Sequence, residues 1–347
     1  MLLNKIKSIA IIKKVIRTRI YFYVRDIKTI KNTLKSFNHE SNDKEIIRDM
    51  IDEKRLHKVP YDEYFLFDFD KCKDRKYRDS FVTDIERVEI ANLLNNPQNE
   101  AIFYDKEKTY EKFGNYYLRD VLRIDSKEKY DDFLVFTKKH NAFICKPIDG
   151  GCGVGIKIIN NVYKNSVKKL FNDILDDYNC KCIIEELIIQ REDIKQLHPQ
   201  SVNTVRMPTV YYSNEKIEVV HPFFRVGQGN SITDNAGSGG IICALDVNSG
   251  IVIATADEFG HKFAKHPDTG IELIGFKLPQ WDQAVKLVQK LAKKVPDNRY
   301  CSWDLALTDK GWDLVEVNAR GQFVWQYATK LGFKQEIESI LAELGVK

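Results

Sequence analysis

The sequence predicts an α+β protein in which a polar, helix-prone N-terminal segment precedes mixed strands and helices, and three observations carry that prediction. Between Tyr300 and Arg320, polar and apolar residues alternate with the period of paired strands. Phe143 to Ile159 reads as strand, glycine turn and strand. Helices are read as separate segments, at Val167 to Tyr178 and Trp281 to Val295, among strands at Val202 to Tyr212, Ile217 to Arg225, Ile241 to Val247 and Ile251 to Ala256.

The C-terminal hairpin is the most specific of these elements. Asp304 and Ala306 alternate with Trp303, Leu305 and Leu307, while Glu316 and Asn318 alternate with Val315 and Val317. A three-residue loop at Asp309-Lys310-Gly311, with Gly311 left-handed, places Asp304 opposite Glu316. Like charges facing each other at roughly 5 Å between Cβ atoms repel unless something neutralises them. A divalent cation does so, and two carboxylates with an amide suit magnesium or manganese, which keep waters and share sites with substrate phosphates. On this reading, removing either carboxylate relieves repulsion and leaves the metal-free protein no less stable.

The rest of a nucleotide site has candidates upstream. Phe143 to Pro147 is a short strand carrying Lys146, followed by Gly150, Gly151, Gly153 and Gly155 and a second β-rich run from Ile156 to Ile159. Backbone N–H groups of such a flap can close over phosphate oxygens while the Lys146 ammonium supplies a point charge. Neither a Gly-Lys-Ser/Thr loop opening a helix nor a dinucleotide-binding glycine triplet is present, and the glycine run alone also fits a plain hairpin turn. Farther on, Cys182 to Ile188 is an apolar strand interrupted by the paired acids Glu185 and Glu186.

Lysine strand, glycine flap, acidic hinge, basic strand and D…ExN hairpin follow in an order that resembles the ATP-grasp superfamily from about Ala101 to Arg320. IIEELIIQ, SVNTVRMPTV, DNAGSGGI, HPDTG and the WDLAL…VEVNARG pair resemble its sugar-transfer-associated group, found in bacterial surface-polysaccharide loci. The resemblance implies an ATP-grasp fold that holds ATP with Mg2+, or Mn2+, between two α+β lobes. Its parts would be a helical N-terminal segment over 1–60, an N-terminal lobe over 61–140, a central lobe with the flap over 141–209 and a C-terminal lobe with the metal hairpin over 210–347.

Residue by residue, the resemblance implies Lys106, in Tyr104-Asp105-Lys106 and close to Lys108 and Lys112, and Lys146 as the nucleotide lysines. It implies Glu185 or Glu186 beside the adenine amine and the Leu187 backbone beside the ring nitrogen. Arg206 would face the transferred phosphoryl group, where a planar fork is suited, although pairing with Glu185 or Glu186 is a simpler use for it. Arg225 and Asn235 would complete the γ-phosphate and substrate side, and Asp304, Glu316 and Asn318 would hold the metal. The implied activity is carboxylate–amine ligation through an acyl-phosphate, joining an amino acid to a surface-polysaccharide sugar or precursor. A kinase on the same scaffold and a non-catalytic nucleotide-binding subunit are the alternatives.

Composition agrees with a cytoplasmic enzyme. The 347 residues suffice for two or three domains, and a net charge of +4 is too small to argue for nucleic acid. No apolar run reaches membrane-spanning length and no secretory cleavage pattern is evident. Seven cysteines, mostly within apolar strands, suit buried thiols in a reducing compartment. His198, His221 and His266 each precede proline and form no metal-ligand spacing, so structural roles are expected, with HPDTG a candidate lining of the acceptor site. Residues 1–30 read as a basic amphipathic helix with two uses open to it: packing against the body, or peripheral contact with the inner face of a membrane.

Overall fold

The computed structural model of the protein describes residues 25–40, 43–148, 155–162, 166–213 and 215–346. They fall into two compact units, Met1–Glu86 with Lys330–Lys334, and Arg87–Thr329 with Gln335–Lys347. The division lies within the 61–140 segment.

The first unit is helical, at 25–36, Lys44–His57, Tyr61–Leu66 and Arg75–Asp79. Asp43 starts the second of these by accepting from the backbone N–H of Glu45 and Ile46, and Lys58 ends it in the left-handed region. Tyr64, Phe67, Phe69 and Phe81 form its buried aromatic centre. Arg78 is buried beside them, its charge met by Asp49 at 2.7 Å and Glu53 at 2.9 Å. Of the amphipathic helix read over residues 1–30, only 25–30 lie among the described residues, and these are helical.

The second unit holds two antiparallel sheets. The smaller contains β1 (Val121–Ile124), β2 (Phe143–Pro147), β3 (Lys157–Ile159) and β4 (Cys182–Glu186) in the order β1-β4-β2-β3. Ile124, Phe143, Cys145, Cys182 and Ile184 form one face and pack with Phe133 and Phe136 of helix Tyr130–Lys139 and Phe171, Ile174 and Leu175 of helix Val167–Asp177. Alternation turns Ile144, Lys146, Ile183 and Glu185 to the other face, where register sets Ile144 against Glu185 and Lys146 against Ile183.

The larger sheet contains β5 (Val205–Tyr211), β6 (Ile217–Val219), β7 (Phe223–Val226), β8 (Ile241–Leu245), β9 (Val252–Ala256), β10 (Tyr300–Thr308) and β11 (Gly311–Asn318). Its order is β11-β10-β5-β7-β8-β9, with β6 on β5. β5 lies within this sheet and runs through residues 209 and 210, so a single strand spans the 209/210 division read from sequence. Ile217 to Arg225, read from sequence as one strand, is two: Pro222 lacks an N–H and His221 takes φ 46°, and the ladder breaks there.

One face of this sheet is apolar. Val205, Met207, Phe224, Val226, Cys243, Trp303, Leu305 and Val317 pack on Trp281, Ala284, Val288 and Leu291 of helix Trp281–Ala292. The opposite face carries Arg206, Phe223, Arg225, Asp304 and Glu316, and its far end is covered by Val324 and Ala328, packed on Phe223, Ile242 and Ala244. Apolar side chains thus cover one face and the far end of the other, and leave a charged stripe between them. Among the described residues no helix is long and apolar enough to cross a membrane.

Candidate functional site

The hairpin reaches its expected pairing by an unexpected route. Its turn has two residues, Asp309 and Lys310, because Thr308 pairs directly with Gly311. The Thr308 hydroxyl closes the turn, donating to the Gly311 carbonyl at 2.9 Å and accepting from Lys310 N–H at 3.2 Å. Gly311, at φ 116°, begins the returning strand in a conformation that favours glycine. Such a turn would set Asp304 against Val315, but a bulge at Val315 inserts one residue and brings Glu316 opposite Asp304. The bulge also lets Asp313, opposite Ala306, share the face of Glu316 despite an odd sequence spacing.

Asp304 is neutralised by two arginines. It is 1% exposed, and Arg206 on the neighbouring strand grips it with a two-pronged bond, Nε to Oδ1 at 2.6 Å and Nη2 to Oδ2 at 2.7 Å. Arg225 adds Nη2 to Oδ2 at 2.8 Å. The alternative pairing of Arg206 with Glu185 or Glu186 does not occur: β5 register places Arg206 beside Asp304. Burial opposes ionisation of Asp304, but the two guanidinium groups outweigh it and hold its carboxyl below the usual range. Arg225 also bonds the Thr204 hydroxyl, which donates to buried Asp234 at 2.5 Å; Asp234 lies 3.4 Å from Arg225 Nε.

Glu316 is different. Its side chain is exposed and, among the described residues, makes no hydrogen bond or ion pair. Partial loss of hydration against the sheet, and then the adjacent Asp304 carboxylate, push its carboxyl above the ordinary range, while Arg206, Arg225 and Lys106 pull the other way. Lys106 opens helix Lys106–Phe113, capped by Asp105, and donates its backbone N–H to Ile148 at 3.1 Å, just after β2. A lysine at a helix N-terminus opposes the helix dipole, so something other than helix stability holds it there. Its charge is felt at the hairpin, where it favours the ionised form of Glu316.

The donor set fits a hard divalent cation. An ionised carboxylate offers about four acceptor positions, and the arginines use three of those on Asp304, leaving one on Oδ1. Glu316 is unengaged. The Asn318 amide nitrogen is buried without a partner, so no hydrogen bond from that nitrogen commits the side chain elsewhere.

On the smaller sheet, Lys146 and Glu185 meet directly, Nζ to Oε2 at 2.7 Å. The same oxygen accepts from Arg119 Nε at 2.8 Å. Arg119 reaches across to the hairpin, bonding Asp313 Oδ1 at 2.8 Å and the Leu314 carbonyl at 2.8 Å, with its guanidinium 4.4 Å from the centre of the Tyr117 ring. Burial opposes the charge on Glu185, but Arg119 and Lys146 outweigh it and bring its pKa down to about 2. Asp313 has a share of only one cation and feels Glu185 as a like charge, so burial prevails and its carboxyl is raised.

Glu186 points to the opposite face, bonding the Asp120 N–H at 3.1 Å beside the Asp120–His140 pair, so of the two hinge glutamates Glu185 is the one on the Lys146 face. Leu187 follows β4 in the segment that crosses to the larger sheet, where Gln190 bridges to Thr308. Asn235 caps a local turn, its side chain accepting from Gly237 N–H at 3.3 Å; the residue brought to Arg225 is its neighbour Asp234. Gly150, Gly151 and Gly153 lie outside the described residues. Gly155, at φ 77°, accepts the Tyr178 hydroxyl at 2.7 Å. His198 and His266 are buried and hold the Gly227–Gly229 backbone, His198 at the Gly229 carbonyl (3.1 Å) and His266 at the Gly227 carbonyl (2.7 Å), as structural histidines would.

Four residues were missed by sequence reading: Arg119, Asp313, Thr204 and Asp234. Asp313 is hidden by the bulge, which breaks the alternation used to assign faces. Arg119 precedes β1 with no motif around it, and Thr204, just before β5, meets Asp234, in the loop after β7, across 30 positions of sequence.

The lysines, acidic hinge and two-carboxylate hairpin stand in the order that the ATP-grasp resemblance implied. Residues 86–342 match the family described as sugar-transfer associated ATP-grasp, and the chain belongs to that family. Among solved structures it is similar to the ATP-grasp ligase PsnB complexed with minimal precursor, Mg and ADP, at 13% identity and TM-score 0.44, covering 73% of this chain and 62% of that one. It is also similar to D-alanyl-alanine synthetase A from Vibrio cholerae O1 biovar eltor str. N16961, at 13% identity and TM-score 0.42, covering 72% and 66%. A third is N5-carboxyaminoimidazole synthetase from Staphylococcus aureus complexed with ADP, at 12% identity and TM-score 0.45, covering 73% and 55%. The chain thus spans less than two thirds of the PsnB chain. No functionally curated protein matches it.

Glu185 supplies a pH-dependent prediction. Its carboxyl falls from an ordinary 4.5 to about 2 in the folded protein. A depressed carboxyl contributes stability that is fully present above the unfolded value and is lost as pH falls through the folded one. The shift corresponds to about 3 kcal/mol. Glu185→Gln is expected to be less stable than the parent by that order at neutral pH, with the gap narrowing below about pH 4.5. Urea unfolding of both proteins across this range checks it; a gap that stays constant on acidification refutes the pairing as its cause.

Proposed function

We propose that the protein is an ATP-dependent carboxylate–amine ligase that works through an acyl-phosphate. The observation that carries this reading is the Asp304–Glu316 pair beside two converging arginines on an otherwise apolar sheet, with Lys106 and Lys146 on the approaching elements. Asp304, Glu316 and Asn318 would hold Mg2+, whose contribution when bound is to neutralise charge on the nucleotide phosphates. Lys106, Lys146 and the flap with Gly150, Gly151, Gly153 and Gly155 would bind those phosphates, and Glu185 with the Leu187 backbone would receive the adenine edge.

Arg206 and Arg225 are held by Asp304 at the place where the phosphoryl group would move. Their fixed guanidinium planes would stabilise its developing charge without reorganising, which is most of what phosphoryl transfer asks of a protein. Asn235, in the loop beside Asp234, is assigned to the substrate side. The carboxylate oxygen attacks the γ-phosphorus and ADP leaves; the amine nitrogen then attacks the acyl carbon and phosphate leaves. The substrates are a small or glycan-linked carboxylate and an amine, in keeping with the sugar-transfer association of the family. Cys72, Cys145, Cys182, Cys243 and Cys301 are free thiols, in keeping with a reducing, ATP-containing cytoplasm.

Hydroxylamine tests the chemistry. With ATP, Mg2+ and a panel of amino acids and uronic acids, ADP release is expected to depend on a carboxylate, and hydroxylamine is expected to trap the acyl group as a hydroxamate. A stable phosphate ester on a hydroxyl substrate, with no hydroxamate from any carboxylate, moves the protein to kinase chemistry.

A further inference from the structure

We infer that Arg119 is a positioning residue that keeps Lys146 available to an anionic phosphate ligand; the inference rests on the nucleotide reading above. Glu185 Oε2 accepts from Lys146 Nζ at 2.7 Å and from Arg119 Nε at 2.8 Å. The Glu185 side chain is 6% exposed, and a carboxylate so buried is costly unless it stays paired. Were Lys146 its sole cation, moving that ammonium to an incoming phosphate would strand the carboxylate. The lysine would then be held back by the residue meant to orient it.

Arg119 removes that conflict because it cannot move with Lys146. Its side chain is 3% exposed, and Nη1 is fixed to Asp313 and to the Leu314 carbonyl of the hairpin. Tyr117 lies under its plane. The rigid fork stays on Glu185 while the flexible lysine stem is free to swing, a division of labour the two cations are built for. Arg119 Nη2 is buried with no partner. A guanidinium placed for its own satisfaction would not leave a buried donor unmade; this one is held where it serves both carboxylates.

The test compares Arg119→Gln, Glu185→Gln and the double variant with the parent, by calorimetric titration with ATP and Mg2+ and separately with adenosine, after circular dichroism confirms folding. Arg119→Gln is expected to weaken ATP binding about tenfold while changing adenosine binding less than about threefold, because the loss falls on the phosphate contact. Adding Glu185→Gln is expected to restore most of the ATP-to-adenosine affinity ratio, since no carboxylate is left for Lys146 to strand. Equal weakening of both ligands, or a double variant with no better ratio than Arg119→Gln, overturns the inference. A parent protein that binds no ATP with Mg2+ refutes the nucleotide reading and the inference with it.

Discussion

Asp304→Asn is expected to destabilise the nucleotide-free protein by about 3–5 kcal/mol, the order found when one partner of a buried ion pair is removed. Asp304 accepts three charge-assisted bonds from Arg206 and Arg225, and Arg206 is itself only 8% exposed. An asparagine offers one acceptor oxygen and turns an N–H2 toward guanidinium donors, so Arg206 loses its counter-charge and Arg225 is left with Asp234 alone. Glu316→Gln is expected to leave stability within about 1 kcal/mol of the parent, because the residue has no described partner and sits beside a like charge. Urea unfolding without nucleotide or metal separates the two. Equal, small effects would show that the arginines do not depend on Asp304.

This contrast reverses the expectation drawn from sequence, which treated the two carboxylates as equivalent and mutually repelling. The hairpin was legible because period-2 alternation and a glycine turn specify paired strands over long stretches, and the Asp304–Glu316 pairing followed even though the turn and the bulge at Val315 were not foreseen. What alternation cannot supply is the neighbour on the next strand. Arg206 lies 98 positions before Asp304 and Arg225 lies 79 before it, and only the order β10-β5-β7 brings them together. The same limit hid Arg119, whose partners Glu185 and Asp313 stand in different sheets. For Asp304 and Glu316 the shared side of the sheet was readable, for Asp313 the bulge concealed it, and which charge neutralises which was not readable for any of them.

The site itself is expected to show the opposite ranking. Glu316→Gln, neutral for stability, is expected to lower ATP turnover about a hundred- to thousandfold, the order seen when one preorganised electrostatic group is removed from an active site. Its carboxylate is the uncommitted charge of the hairpin, and glutamine keeps the shape but offers a cation a neutral oxygen. Arg206→Lys is expected to lower kcat more than it raises the KM for ATP: a lysine keeps the charge but loses the flat fork that spans Asp304 and faces the phosphoryl group. Carboxylate-dependent ADP release at varied Mg2+ measures both. Full turnover in Glu316→Gln at ordinary Mg2+ would remove Glu316 from the metal site, and equal effects on kcat and KM in Arg206→Lys would reduce Arg206 to a brace for Asp304.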